Sequence, residues 1–194
     1  MDEKGVVMGK WKGTVAEGFT PEEFKEYVNS LEWSEWSPDF IVLHNTGEPC
    51  LKNRPNGLTK DHILGLASYY RDELGWSAGP HLFVDDHQIW VLTPLTVSGV
   101  HAPSWNNVSL GVEMLGDYDV EEFEDGRGAL VRDNTVATIG ILSYVLSIDP
   151  DTMKLHREDR KTTHHCPGNN VDKLDFISRV KEYIMLGIAE HDNI

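Results

Sequence analysis

Apolar residues recur along this chain at two different spacings, and the alternation between them outlines a mixed α/β fold. Residues 1–19 show no sustained period and read as an extended lead-in. Thr20-Pro21-Glu22-Glu23 then carries the marks of a helix start: Thr20 as N-cap, Pro21 at the first position, and Glu23 closing a capping box. Phe24, Tyr27, Val28 and Leu31 follow at helical spacing. Trp33 to Pro38 breaks that helix and leads into Phe40-Ile41-Val42-Leu43-His44. The unbroken apolar character of that run predicts a central strand buried on both faces. Asn45, Thr46, Gly47, Pro49, Asn53, Pro55, Asn56 and Gly57 make residues 45–58 a loop at the strand's end. Thr59 is placed to cap a second helix, with Ile63, Leu66, Tyr70 and Leu74 on one face and Gly75 ending it.

A hairpin-like region follows, His81 to Val84 and Gln88 to Leu92, with Asp85-Asp86-His87 as its turn. Ser109 to Leu115 reads as another strand, after a loop that holds His101, Trp105, Asn106 and Asn107. Residues 116–128 are acidic and turn-rich. Asp133-Asn134 is expected to open a long helix with Val136, Ile139, Ile141, Leu142, Tyr144 and Val145 on its buried side. Leu155 falls in a short strand. A last helix is expected from about Val171 to Ile188, with Leu174, Ile177, Val180, Ile184 and Met185 inward. Strands interspersed with long helices predict a mixed central sheet flanked by helices. Residues 1–37 form an N-terminal lead-in with a short helix packed on the main domain, which spans 38–194. No internal repeat, low-complexity tract or long linker interrupts it.

Composition narrows the functional classes. At 194 residues, with 40% hydrophobic and 25% charged positions, the chain suits one well-filled globular domain. A formal net charge of −15 argues against nucleic acid or an anionic membrane as partner, since either needs a basic face. A polymer held locally by hydrogen bonds remains open. No apolar run reaches the length of a membrane span. Met1 to Lys10 lacks the apolar core of a signal peptide, so the expected product is made in the cytoplasm. A monomer is expected. Two cysteines, Cys50 and Cys166, are too few for a disulfide framework.

The chemistry concentrates between Leu155 and Gly168. His156, His164, His165 and Cys166 gather there among charged residues, and Pro167-Gly168 turns the chain afterwards. Imidazole and thiolate are preferred zinc donors. The ten-residue separation of His156 and Cys166 suits a loop returning to one point. His44, at the end of the buried strand, would complete a three-donor site with an open fourth position, the arrangement of a catalytic zinc. His164 and His165 are adjacent and point different ways, so one can serve as a proton or hydrogen-bond donor while the other faces solvent. Glu113 interrupts the apolar strand Leu110-Gly111-Val112-Glu113-Met114-Leu115. A carboxylate there either points to solvent or acts as a general base beside a cation. His101, with Trp105 and Asn106, offers a stacking face and amide hydrogen bonds for a sugar or peptide in a groove.

Together these motifs resemble the zinc-dependent N-acetylmuramoyl-L-alanine amidase type 2 family, which includes phage amidase endolysins and peptidoglycan recognition proteins. The likeness rests on Ile41-Val42-Leu43-His44-Asn45-Thr46, Gly75 to Val84, Gly99-Val100-His101-Ala102, Asn107 to Glu113, and His156 with Cys166-Pro167-Gly168. It spans about residues 38–188, and the order and spacing of five motifs make chance agreement improbable. The resemblance implies one zinc per chain on His44, His156 and Cys166, with Glu113 in water activation and His101 in the groove lining. It also implies peptidoglycan or a muropeptide as substrate, with cleavage between N-acetylmuramic acid and L-alanine. Two positions depart from the pattern. A lysine of many relatives, two residues before the last ligand, is His164 here, and a tyrosine before the hairpin strand is Pro80. His164 is therefore expected to support the oxyanion in place of lysine. The alternatives are a binding module without activity, another zinc amide hydrolase, and a cytosolic recycling enzyme.

Overall fold

A computed structural model of the chain describes residues 9–191. Among them, six strands, β1 (Glu17–Phe19), β2 (Phe40–Asn45), β3 (Leu82–Val84), β4 (Ile89–Val91), β5 (Ser109–Met114) and β6 (Lys154–Leu155), form one sheet. Their order is β1-β4-β3-β5-β2-β6. The four strands β3, β5, β2 and β6 run parallel, whereas β4 and β1 continue the sheet antiparallel. The fold class read from the sequence is therefore the one observed. β2 lies between β5 and β6, which accounts for an apolar run with no polar face: Ile41, Val42 and Leu43 are all buried.

Four helices complete the fold: α1 (Pro21–Ser30), α2 (Lys60–Ser68), α3 (Gly126–Leu146) and α4 (Lys173–His191). The α1 capping box forms as its sequence requires, with Thr20 Oγ1 accepting from the Glu23 amide and Glu23 accepting from the Thr20 amide. α3 lies over β3, β4 and β5 and is flanked by α1 and α4. It therefore buries residues around most of its circumference.

The structure corrects several expectations. The lead-in is not merely extended, because residues 17–19 add an edge strand that pairs with β4. α3 begins at Gly126 rather than near Asp133, with the Asp125 carboxylate capping the Gly126 amide at 2.6 Å. Gly126 and Gly128 read as loop residues, yet Gly128 is required where the helix passes the Glu122 carbonyl and a Cβ would collide with it. Tyr144, Leu174, Met185 and Leu74 were expected inward but are exposed. In α4 the covered stripe is centred on Phe176, Ile177 and Val180, so Leu174 and Met185 lie beyond its two edges. α2 runs on into a π-helical turn at Tyr69–Glu73, which rotates Leu74 off the apolar face. The leader reading of the first residues falls largely on 1–8, outside the described residues.

Arg127 ties the loop after β2 to the hairpin. Its guanidinium donates to the Asp86 carboxylate at 2.6 and 2.8 Å, and to the carbonyls of Leu51 and Arg54 at 2.7 Å each. Burial opposes ionisation of Asp86, but the bonds from Arg127 outweigh it and hold the carboxyl below its ordinary value. Asp86→Asn is expected to lower stability by about 1–3 kcal/mol near neutral pH in urea denaturation. A depressed folded pKa means that this contribution is complete above the unfolded value of about 4 and fades as the pH falls through the folded one. The gap between the two proteins should close in acid, and a gap unchanged from pH 7 to pH 2 would contradict the assignment.

Candidate active site

Parallel strands in register place side chains of the same row on the same face of a sheet. Phe83 of β3 is level with Glu113 of β5, and Glu113 is level with His44 of β2. Leu43 is level with Leu155 of β6, so His156, the next residue, continues the row. All four side chains line one cleft at the carboxyl ends of the parallel strands. That edge of an open α/β sheet is where ligands characteristically bind.

Cys166 reaches the row from the loop that follows His156. Arg157 closes this loop: its amide donates to the Cys166 carbonyl at 2.8 Å, and its guanidinium donates to the carbonyls of Gly168 at 2.7 Å and Val171 at 3.0 Å. Cys166 Sγ then lies 3.8 Å from His44 Nδ1 and accepts from the Asn45 amide at 3.4 Å. The His44 and His156 rings are 4.4 Å apart between centroids. Glu113 Oε1 lies 3.7 Å from the same His44 Nδ1. Donor atoms of His44, His156 and Cys166 all fall within 4.8 Å of one another.

The electrostatics of this cluster fit a cation. Burial pushes the His44 imidazole well below its ordinary value, and it pushes His156 down to about 4. Both rings are therefore neutral, the form that binds metal. Burial raises the Cys166 thiol, and the nearby Glu113 carboxylate adds to that, a state that a cation among these donors would reverse. His156 Nε2 is buried with no hydrogen-bond partner. Two neutral imidazoles, one of them with an unsatisfied ring nitrogen, and a thiol make a donor set suited to zinc.

Residues 34–169 match the family described as N-acetylmuramoyl-L-alanine amidase. The chain belongs to that family. Relatives include peptidoglycan-recognition protein SC2 of Drosophila melanogaster and of Drosophila simulans, each 25% identical over 138 residues, covering 68% of this chain and 69% of the relative. The fold is similar to that of the N-acetylmuramoyl-L-alanine amidase LysC from Clostridium intestinale URNW, with TM-score 0.59 and 23% identity over 78% of this chain and 89% of the other. It is also similar to a mutant of Drosophila PGRP-LB in complex with tracheal cytotoxin, with TM-score 0.59 and 23% identity over 73% and 82% of the two chains. Family and relatives together support either amide hydrolysis or binding of peptidoglycan.

The amidase-family cleft, of about 420 Å³, is large enough for a small part of a polymer rather than a single metal-bound solvent. His164 and His165 both line it and both are exposed. His164 stacks edge-on against His156, with ring centroids 4.8 Å apart, and His165 leans toward Asp119 at 3.9 Å. His101 is at the cleft too, but nearly buried, its Nδ1 3.1 Å from His44 Nε2.

Trp105 and Asn106 are not brought into the cleft. Trp105 packs edge-on against Phe40, and Asn106 Oδ1 accepts from the amides of His101 and Ala102 at 2.8 Å each. An aromatic and an amide near a motif histidine resemble a binding surface in sequence, yet here they build the turn that carries His101. Pro80 does line the cleft.

Sequence reasoning missed Tyr70 and Trp76, which stack in parallel at 5.1 Å and form an aromatic wall, and the acidic pair Asp117 and Asp119 opposite the loop. Tyr70 was assigned to the core by its helical phase. That phase holds: Tyr70 packs against the core, and Leu66 one turn earlier lines the same cleft, so this face of α2 borders core and cleft together.

The freshly purified protein is expected to carry one zinc per chain in elemental analysis, released by a chelator. Cys166→Ser should lose most of it, because a poorly ionised hydroxyl replaces a thiolate. Unchanged zinc content in that variant would place the metal elsewhere.

Proposed function

We propose that this protein is a zinc-dependent N-acetylmuramoyl-L-alanine amidase that hydrolyses the amide joining N-acetylmuramic acid to L-alanine in peptidoglycan. The observation that carries this reading is the Glu113 carboxylate, 3.7 Å from His44 Nδ1, beside the complete His44, His156 and Cys166 donor set on one cleft floor. Zinc held by those three residues would supply Lewis-acid polarisation of the scissile carbonyl and a more acidic attacking water.

The chain's own residues supply the rest. Without a cation, burial pushes the Glu113 carboxyl up to about 8. With zinc on the neighbouring donors it would come back down, into the range where a carboxylate can take a proton and return it. Glu113 takes the proton of the attacking water and passes it to the nitrogen that departs with L-alanine. The lactyl group is left on the sugar as a carboxylate, and the peptide departs with its amino group protonated, so both protons of the water end on that nitrogen. His164, on the cleft rim against His156, donates a hydrogen bond to the oxyanion formed during attack. The Tyr70 and Trp76 wall offers an apolar face to the substrate, and Asn45 and Thr46 offer polar groups beside it.

The family match and the likeness to LysC support hydrolysis. The relatives named for peptidoglycan recognition favour binding without turnover as the second reading, and the intact donor set weighs against it. The biological role we assign is that of an endolysin made in the cytoplasm and acting on the cell wall. Recycling of muropeptides inside the cell is the alternative role.

Mass analysis of digested peptidoglycan should show free N-terminal L-alanine with intact glycan, whereas new reducing ends or internal peptide cuts would contradict the reaction. Glu113→Gln is expected to retain zinc and fold but lower kcat by roughly 10²–10⁴. His164→Ala should reduce kcat more than it raises KM, since the oxyanion exists only in the transition state. A larger loss from His165→Ala would exchange the roles of the two.

A further inference from the structure

Behind the row of donors stands a second histidine whose hydrogen bonds fix where the protons lie. His101 Nε2 is 3.2 Å from the Ser109 carbonyl. A carbonyl can only accept, so His101 carries its proton on Nε2 and donates it there. In a neutral imidazole the other nitrogen is then an acceptor. His101 Nδ1 lies 3.1 Å from His44 Nε2, so His44 must donate from Nε2. Its Nδ1, left without a proton, is the atom that faces Cys166 Sγ at 3.8 Å and Glu113 Oε1 at 3.7 Å.

We propose that His101 is a positioning residue that locks His44 in the Nε2–H tautomer and so presents the Nδ1 lone pair to the metal centre. Metal-bound histidines commonly give their second N–H to a carbonyl or carboxylate. Here the acceptor is another imidazole, which is suited to the task only because its own proton is committed to Ser109.

The surroundings are built for that ring. A Cβ at position 111 would collide with the His101 ring, so Gly111 on β5 makes its approach possible. Asn106 Oδ1 grips the His101 amide from the other side at 2.8 Å. The neighbouring His81 is separately satisfied, accepting from the Gly111 amide at 3.0 Å and donating to the Val97 carbonyl at 2.9 Å, so it does not compete for His101. The two nitrogens of His101 thus join the strand β5 carbonyl to the ligand on β2.

This inference rests on the reading of His44 as a metal ligand, but its first test needs no metal. In the metal-free, full-length protein with ¹⁵N-labelled histidine, assigned with a His44→Gln variant, His44 should show the nitrogen shifts of an Nε2–H imidazole. His101→Leu removes the acceptor and should give a mixed or Nδ1–H pattern. It should also weaken zinc binding by roughly 10–100-fold in chelator competition. His101→Asn places an acceptor oxygen near the former Nδ1 and should restore most of both. An Nδ1–H pattern in the wild type overturns the proposal outright, and the wild-type spectrum decides even if His101→Leu fails to fold. Leucine and asparagine variants that match each other in tautomer and affinity would also overturn it. Wild-type protein with the expected tautomer but no affinity for zinc would instead overturn the metal reading, and with it the consequence drawn here for His101.

Discussion

The site depends on the register of four parallel strands. Phe83, Glu113 and His44 stand level because β3, β5 and β2 pair as they do, and His156 joins them because β6 ends at Leu155. A slip of one residue would turn each side chain to the other face of the sheet. The slip is opposed by burial: Leu43, Val112 and Leu82, just before the row, are completely buried, and a shift would put His44 and Glu113 where those side chains pack. The same contacts that stabilise the sheet therefore aim the chemistry.

Burial then decides what the aimed groups are. Neutral imidazoles, a raised thiol and a raised carboxyl crowd together, and none of them is comfortable as an ion without a counter-charge. A divalent cation resolves that conflict for all four at once. Hydrogen bonds around the cluster hold its geometry in advance, through Arg157 for the Cys166 loop and through His101 and Ser109 for His44. Preformed ligands of this kind give up little conformational freedom when the ion arrives.

Much of this was legible in the sequence because it follows from local rules. The capping box at Thr20 and Glu23, the apolar run before His44 and the Pro-Gly turn after Cys166 each have a physical cause within a few residues. The row itself was not legible, since strand order and register are long-range properties. Edge strand β1 is too short to show a period, and α3 begins at glycines that imitate a loop. Trp105 and Asn106 carried the right chemistry for a groove but are used to shape the turn under His101. Tyr70 packs on the core as its phase predicts and also borders the cleft, as Leu66 one turn earlier does, and helical phase alone does not show that the core face ends at a cleft.

The central claim is that His44, His156 and Cys166 hold one zinc ion directly. X-ray absorption at the zinc edge of the loaded protein tests it without reference to turnover. One sulfur at about 2.3 Å and two imidazole nitrogens at about 2.0 Å are the predicted protein donors, with one light atom completing four-coordination. A shell of nitrogen and oxygen alone, with no sulfur, would contradict it.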